Sequence, residues 1–118
     1  MCINFTNHPS ANWDPKQKKE AQTYGEIQDV PFPIVPPAAS QAEVHQIARD
    51  CAEKILSYHP DAVLCQGEFT LAFQVITLLK KEKIKVLAAT SERRAVEICE
   101  NGITKRSLIF AFEQFREY

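Results

Sequence analysis

The chain has 118 residues, 45% of them hydrophobic and 25% charged, with a formal net charge of −1. That length suits one domain with a real core and excludes two, and the composition is that of an ordinary globular protein. The near-neutral balance excludes a general nucleic-acid binder or a membrane-surface protein, so any anion must be held locally.

No apolar run approaches the ~20 residues of a membrane span, and no basic segment followed by an apolar stretch marks a secretory leader. The four cysteines, Cys2, Cys51, Cys65 and Cys99, are widely spaced and form no C-x-x-C pair. They read as small buried hydrophobes in a reducing cytoplasm rather than as disulfides or metal ligands.

Cys2 to Thr6 reads as the first strand, followed by a loop from Asn7 to Trp13. Asp14 is a good N-cap, Pro15 suits the first helical position, and Gln17 completes a capping box. That lysine-rich helix runs to about Tyr24, where Gly25 supplies a left-handed stop. Glu26 to Val30 is a short strand near a sheet edge. Pro31, Pro33, Pro36 and Pro37 then crowd a stretch that can be neither helix nor central strand, so it is a stiff extended connector.

Ser40 and Glu43 make a second capping box, and Val44, Ile47, Ala48, Cys51, Ala52 and Ile55 recur at helical spacing, a one-sided helix for packing on a sheet. Ala62 to Cys65, between Pro60-Asp61 and Gly67, is how a fully buried strand of a parallel sheet reads. The helix Phe69 to Lys81 is apolar around most of its circumference, with Thr70, Gln74, Thr77 and Lys81 as its polar stripe. Such a helix is either buried between layers or part of an oligomer interface; in so small a domain the interface is favoured.

Lys85 to Ala89 is the fourth strand, leading into a loop Thr90 to Arg94. Val96 to Glu100 and Ile103 to Phe115 flank Asn101-Gly102, the strongest short hairpin signal. A helix over Glu92 to Glu100 is the alternative, but the period is wrong for it. The order is β-α-β-α-β-α-β with an antiparallel hairpin at its end. Right-handed crossovers make that a single three-layer α/β/α Rossmann-like domain, mostly parallel, with strand order near 2-1-3-4. Ligands of such sheets bind beyond the carboxyl ends of the strands at the switch point. Here the loops Thr6–Trp13, Gln66–Thr70 and Thr90–Arg94 converge.

His8 lies just past the first strand, and a histidine can donate or accept a proton near neutral pH or simply bond its own turn. His45, on a helix, and His59, at a helix end, have weaker claims. Gly67, Glu68 and Thr70 open a helix whose free N–H groups favour an anion; Glu68 can fill that positive end itself, cap the helix or act as a base. Gln66 can read a base edge or ribose hydroxyl, or bond backbone. Dinucleotide and P-loop fingerprints are absent. Ser91, Arg93 and Arg94 offer a phosphate clamp, or a solvated cluster with Glu92. If strand geometry continues there, only one of the two arginines can point into the cleft. His8, Cys65, Glu68 and Glu92 lack any recognised ligand spacing, so no metal and no cofactor is expected.

The opening Asn4-Phe5-Thr6-Asn7-His8-Pro9-Ser10, with Trp13 soon after, resembles the starts of small CRISPR-associated proteins of type III systems. These are short Rossmann-like proteins whose first loop reads Asn-Phe-Ser-His-Pro or Ser-Arg-His-Pro-Gly. The resemblance covers that loop and the general β/α plan, and it carries over Asn7, His8 and Ser10. It implies binding of a cyclic oligoadenylate second messenger by a cytoplasmic homodimer. It also admits ring-nuclease activity without metal, by attack of a ribose 2′-hydroxyl on the neighbouring phosphate. His8 would then be the acid or base, Arg93 or Arg94 one clamp, and the Gly67–Thr70 amides another. A two-fold ligand would be cradled across a two-fold dimer, with the Phe69–Lys81 helix as the interface. A non-catalytic sponge or sensor with the same pocket, and an unrelated cytoplasmic α/β protein of other ligand, are the alternatives.

Overall fold

A computed structural model describes Met1–Tyr118. Its elements in order are β1 (Cys2–Phe5), α1 (Pro15–Gln22), β2 (Ile27–Asp29), α2 (Gln41–Leu56), β3 (Ala62–Cys65), α3 (Phe69–Lys81), β4 (Lys85–Glu100) and β5 (Ile103–Glu117), with one 3-10 turn at Ser10–Asn12. The strands form one sheet in the order β2-β1-β3-β4-β5, parallel except for the β4–β5 hairpin. This is the mixed α/β, Rossmann-like architecture the sequence predicts. No helix is long and apolar enough to cross a membrane.

The layers follow from strand alternation. Ile3, Phe5, Val63, Cys65 and Val86 point to one face, under α2 and α3. Cys2, Ala62, Leu64 and Leu87 point to the other, where Trp13 and Ala21 of the α1 layer meet them. Every residue of β1 and β3 is buried, as helices on both faces require. α2 starts where Ser40 Oγ accepts from Glu43 N at 3.1 Å. α1 starts where Asp14 accepts from Lys16 N at 2.8 Å; Gln17 returns no bond, so the predicted box at that end is a single cap. Gly25, at φ +106°, holds the left-handed position after α1, and a Cβ there would lie 2.9 Å from the Met1 nitrogen.

Two expectations are corrected. Thr90 to Arg94 is not a loop: β4 runs unbroken through it and pairs with β5 as far as Glu100↔Ile103. No glycine or proline interrupts Lys85 to Glu100, and β5 supplies a partner for each residue from Leu87 onward. The register shifts once between Thr90 and Ser91, where Glu113 bulges from β5. Cys99, expected inside, is exposed on this ribbon, while Cys2 and Cys65 are buried and Cys51 half-buried, all four as free thiols.

The proline connector is draped as predicted. Its Phe32 is buried, packs on Phe5 with ring centroids 4.8 Å apart, and lies over Gly67, where an added Cβ would fall 2.5 Å from the ring. Beyond Ser91 and Phe112 the hairpin leaves the body as an arm. The radius of gyration is accordingly 16.8 Å and the longest extent 56 Å, against about 13–14 Å expected for the radius of a compact domain of this size.

Candidate carboxyl-edge cleft

Asn4 is 1% exposed in the middle of an apolar strand, and a buried amide must find partners. Its Nδ2 donates to His8 O at 2.9 Å and to Asp29 Oδ1 at 3.0 Å. The Thr6 hydroxyl donates to Asn4 Oδ1 at 2.7 Å and accepts from His8 N at 3.1 Å. His8 O also accepts from Trp13 Nε1 at 3.1 Å, and Ser10 N donates to the Asp29 carboxylate at 3.2 Å. Side chains from β1, β2 and the loop itself thus fix the backbone of Thr6 to Trp13. None of this network engages the His8 imidazole, which is exposed.

His8 lines a cleft of about 370 Å³ between this loop and the β4–β5 ribbon. Trp13, Gln66, Ser91, Phe110 and Phe112 are among its walls. Of the residues singled out in the sequence, His8, Gln66 and Ser91 therefore do come together at the switch point. Gln66 is held there by backbone: its Oε1 accepts from Ala89 N at 3.1 Å, and its Nε2 donates to Ala89 O at 3.5 Å. That extends the β3–β4 contact by one side chain and closes the sheet behind the cleft. Asn7 is exposed, and Ser10 begins the 3-10 turn.

The second predicted clamp is occupied. Glu68 caps α3, its carboxylate accepting from Thr70 N at 3.0 Å, Leu71 N at 2.8 Å and the Thr70 hydroxyl at 2.7 Å. The Thr70 hydroxyl, then the Leu71 and Thr70 amides, hold the Glu68 carboxyl below its ordinary range. The positive end of α3 is therefore neutralised by the chain's own carboxylate. Gly67 and Thr70 border furrows along α3 rather than the cleft.

The two arginines diverge, because successive residues of a strand point to opposite faces. Arg94 is paired: its guanidinium donates to Glu92 at 2.9 Å and reaches Glu113 at 3.4 Å. That contact lowers the Glu92 carboxyl and raises the guanidinium. Arg93, in register with Phe110, shares the face of Ser91, about 7 Å further along the strand. It lies on the strand face of the cleft wall, but neither arginine is among the residues that line the cleft. His45 Nδ1 lies 2.6 Å from Gln74 Oε1 and ties α2 to α3; His59, at φ 51°, sits in the left-handed turn after α2.

Sequence reasoning missed Asn4, Thr6 and Asp29 as the frame of the loop, and Phe110 and Phe112 as cleft walls. A signal for the first was present: Asn is depleted from strand interiors, and Asn4, Thr6 and His8 alternate on one side of the chain.

Fold and cleft together define a Rossmann-like α/β domain whose rigid first loop presents a histidine at the carboxyl edge of the sheet. The chain belongs to the uncharacterized protein MJ1673 family, whose profile it matches over residues 1–116. No curated protein and no solved structure matches it.

Proposed function

We propose that the protein binds a small anionic nucleotide second messenger, a cyclic oligoadenylate, in the carboxyl-edge cleft, as a cytoplasmic homodimer joined through α3. The observation that carries this reading is His8: an uncommitted imidazole, held over a cleft by a loop whose backbone is fixed at four points. Preorganisation of that kind serves binding and proton transfer. Phe110, 72% exposed, offers a face for a base to stack on, Ser91 a hydroxyl for ribose or phosphate, and Arg93 a planar cation for the phosphate. The four free thiols suit a reducing compartment. If the ligand is turned over, a ribose 2′-hydroxyl attacks the adjacent phosphorus and the 5′-oxygen leaves. His8 either takes the hydroxyl proton or donates one to the leaving oxygen, giving a 2′,3′-cyclic phosphate.

A second reading, a sponge or sensor that binds without cleaving, is favoured by one observation. The N-terminus of α3 does not line the cleft and is filled by Glu68, so no free helix end is offered there to stabilise developing negative charge. Incubation with cyclic tri-, tetra- and hexa-adenylate without added metal, following thermal shift and product, separates the readings. A ligand that binds the folded state at a hundredfold excess over its dissociation constant stabilises it by ~2.7 kcal/mol. A shift with cleavage that His8→Ala abolishes supports the nuclease, and a shift without cleavage the sponge. No shift with any ring removes the proposal.

A further inference from the structure

One edge of the arm is unpartnered. Ala89 turns its N–H and C=O away from β5, and the Gln66 amide takes them at 3.1 Å and 3.5 Å. Main-chain groups alternate along a strand, so Ser91, Arg93, Ala95, Glu97 and Cys99 turn theirs to that same side. β3 pairs with β4 only as far as Leu87, and β5 occupies the opposite edge. Those donors and acceptors therefore meet no other part of the chain. The stretch from Ser91 to Cys99 holds no proline, glycine or lysine, and the one bulge lies on β5. Such an edge is a template for another strand, and a lone two-stranded ribbon is marginal in water without one.

We propose that β4 of a second copy pairs with this edge, antiparallel and two-fold, with Ala95 opposite the partner's Ala95. Charge selects that register. It sets Arg93 opposite the partner's Glu97, and by symmetry Glu97 opposite the partner's Arg93, on one face of the sheet. Neither side chain forms an ion pair within its own chain. A two-fold pairing must centre on a residue, because any other puts facing side chains on opposite sides of the sheet. Centring on Arg93, Arg94 or Glu97 sets that charge against itself, and centring on Val96 sets Glu92 against the partner's Glu100. Only the Ala95 centre joins unlike charges and opposes no like ones. About ten main-chain hydrogen bonds form across it, and two marginal ribbons become one four-stranded sheet. Leu108, 53% exposed in the single copy, stands opposite Ala95 in the hairpin, so these two residues of both copies make an apolar centre on one face.

Ser91 to Cys99 spans about 27 Å, and an edge of that length buries less than a standard interface, so the association depends on concentration. The free edge of β5 is the poorer template. Glu113 bulges at its base, and from Ile103 to Phe112 its only charges are Lys105 and Arg106, with no acid to meet them in a second copy. The pairing is independent of the ligand and of the α3 contact proposed above; with both contacts present, two α3 dimers join through their arms. Ser91 lines the cleft, so the pairing also brings the partner's Cys99 to the cleft margin.

Analytical ultracentrifugation over a concentration series reads the association of the wild type, Arg93→Glu, Glu97→Arg, the two reversals combined, and Ala95→Pro, with circular dichroism to confirm folding. The series is repeated in a Phe73→Asp background, which removes the α3 contact. Ala95→Pro deletes an N–H that faces the open edge and leaves the β4–β5 bonds in place. Mass should rise with concentration in both backgrounds. Either reversal alone should raise the dissociation constant about tenfold, and the combination should restore it. Ala95→Pro should abolish association through the arm. In a Cys99→Ser background, Ala95→Cys should oxidise to an intermolecular disulfide, since directly opposed residues lie about 5.5 Å apart. A Phe73→Asp chain that is monomeric at every concentration overturns the pairing and leaves the α3 dimer standing. Unchanged association in Phe73→Asp, with the arm variants behaving as expected, supports the pairing and removes the α3 dimer. Single reversals without effect, a combination that stays weak, or an Ala95→Pro that associates like the wild type in the Phe73→Asp background each overturn the pairing.

Discussion

Replacing Asn4 by alanine tests whether the histidine loop is truly held from beneath. The change removes an amide that bonds His8 O, Asp29 Oδ1 and the Thr6 hydroxyl from a position 1% exposed. Each partner keeps another contact: His8 O retains Trp13 Nε1, Asp29 retains Ser10 N, and Thr6 retains His8 N. The cost is therefore close to the net value of three hydrogen bonds, about 3 kcal/mol, rather than the larger penalty of orphaned buried groups. In a domain of this size that is about 12 °C in Tm. Urea and thermal unfolding read the loss directly, and the Trp13 indole N–H resonance, bonded to His8 O, reads the loop itself. Thr6→Val alone removes a part of the same network, so the double variant should lose about 1 kcal/mol less than the sum of the singles. A loss below about 1 kcal/mol for Asn4→Ala, with an unmoved Trp13 resonance, would refute the claim that this amide sets the loop.

Further outcomes follow from other contacts. Gly67→Ala places a Cβ about 2.5 Å from the Phe32 ring and should destabilise by about 1–3 kcal/mol. Phe32→Leu should recover part of that in the double variant, as chemical denaturation will show. For Glu68, the folded carboxyl lies below its ordinary range, so its contribution is present above the unfolded-state pKa and is lost as pH falls through the folded one. The stability gap between wild type and Glu68→Gln should accordingly be full at neutral pH and close in acid; a gap that widens in acid contradicts the cap. Thiol labelling should find Cys99 fastest, since it is exposed. Burial pushes Cys2 to about 11 and Cys65 to about 12, so those two should wait for unfolding. Rapid labelling of Cys65 in the folded protein would contradict its place under α3.

The parts of this molecule that the sequence made legible are those governed by local pattern. Ala62 to Cys65 is a short apolar run between turn residues, and only a strand covered on both faces suits it. Ser40 and Asp14 announce helix starts because their side chains satisfy amides within a few residues. His8, Gln66 and Ser91 could be brought to one edge because right-handed crossovers leave little freedom in strand order. What stayed hidden depends on pairing across distance. Glu68 could cap or catalyse on paper, and the choice was made by where the helix axis points. Gln66 could read a ligand until Ala89 was seen to take both ends of its amide.

The arm is the clearest instance, and it bears on how the cleft is made. Thr90 to Arg94 looked like a loop because it is polar and follows a strand of ordinary length. A strand continues past the body, however, wherever its neighbour does, and β5 does so for another ten residues of β4. Nothing in Ser91-Glu92-Arg93-Arg94 itself encodes that. The apolar run Leu108 to Phe112 across the ladder does, because it needs a partner strand whatever that partner's polarity. The consequence is functional. A loop at this place would leave the cleft open towards the hairpin, whereas the continuous strand sets Ser91, Phe110 and Phe112 as a fixed wall opposite His8. It also forces Arg93 and Arg94 to opposite faces, so that Arg94 pairs with Glu92 while Arg93 shares the face of Ser91. Both walls of the cleft are thus rigid, one through buried side chains and the other through a backbone ladder. On the binding reading proposed above, the ligand would be selected by fit to a preformed gap rather than by closure of a loop around it.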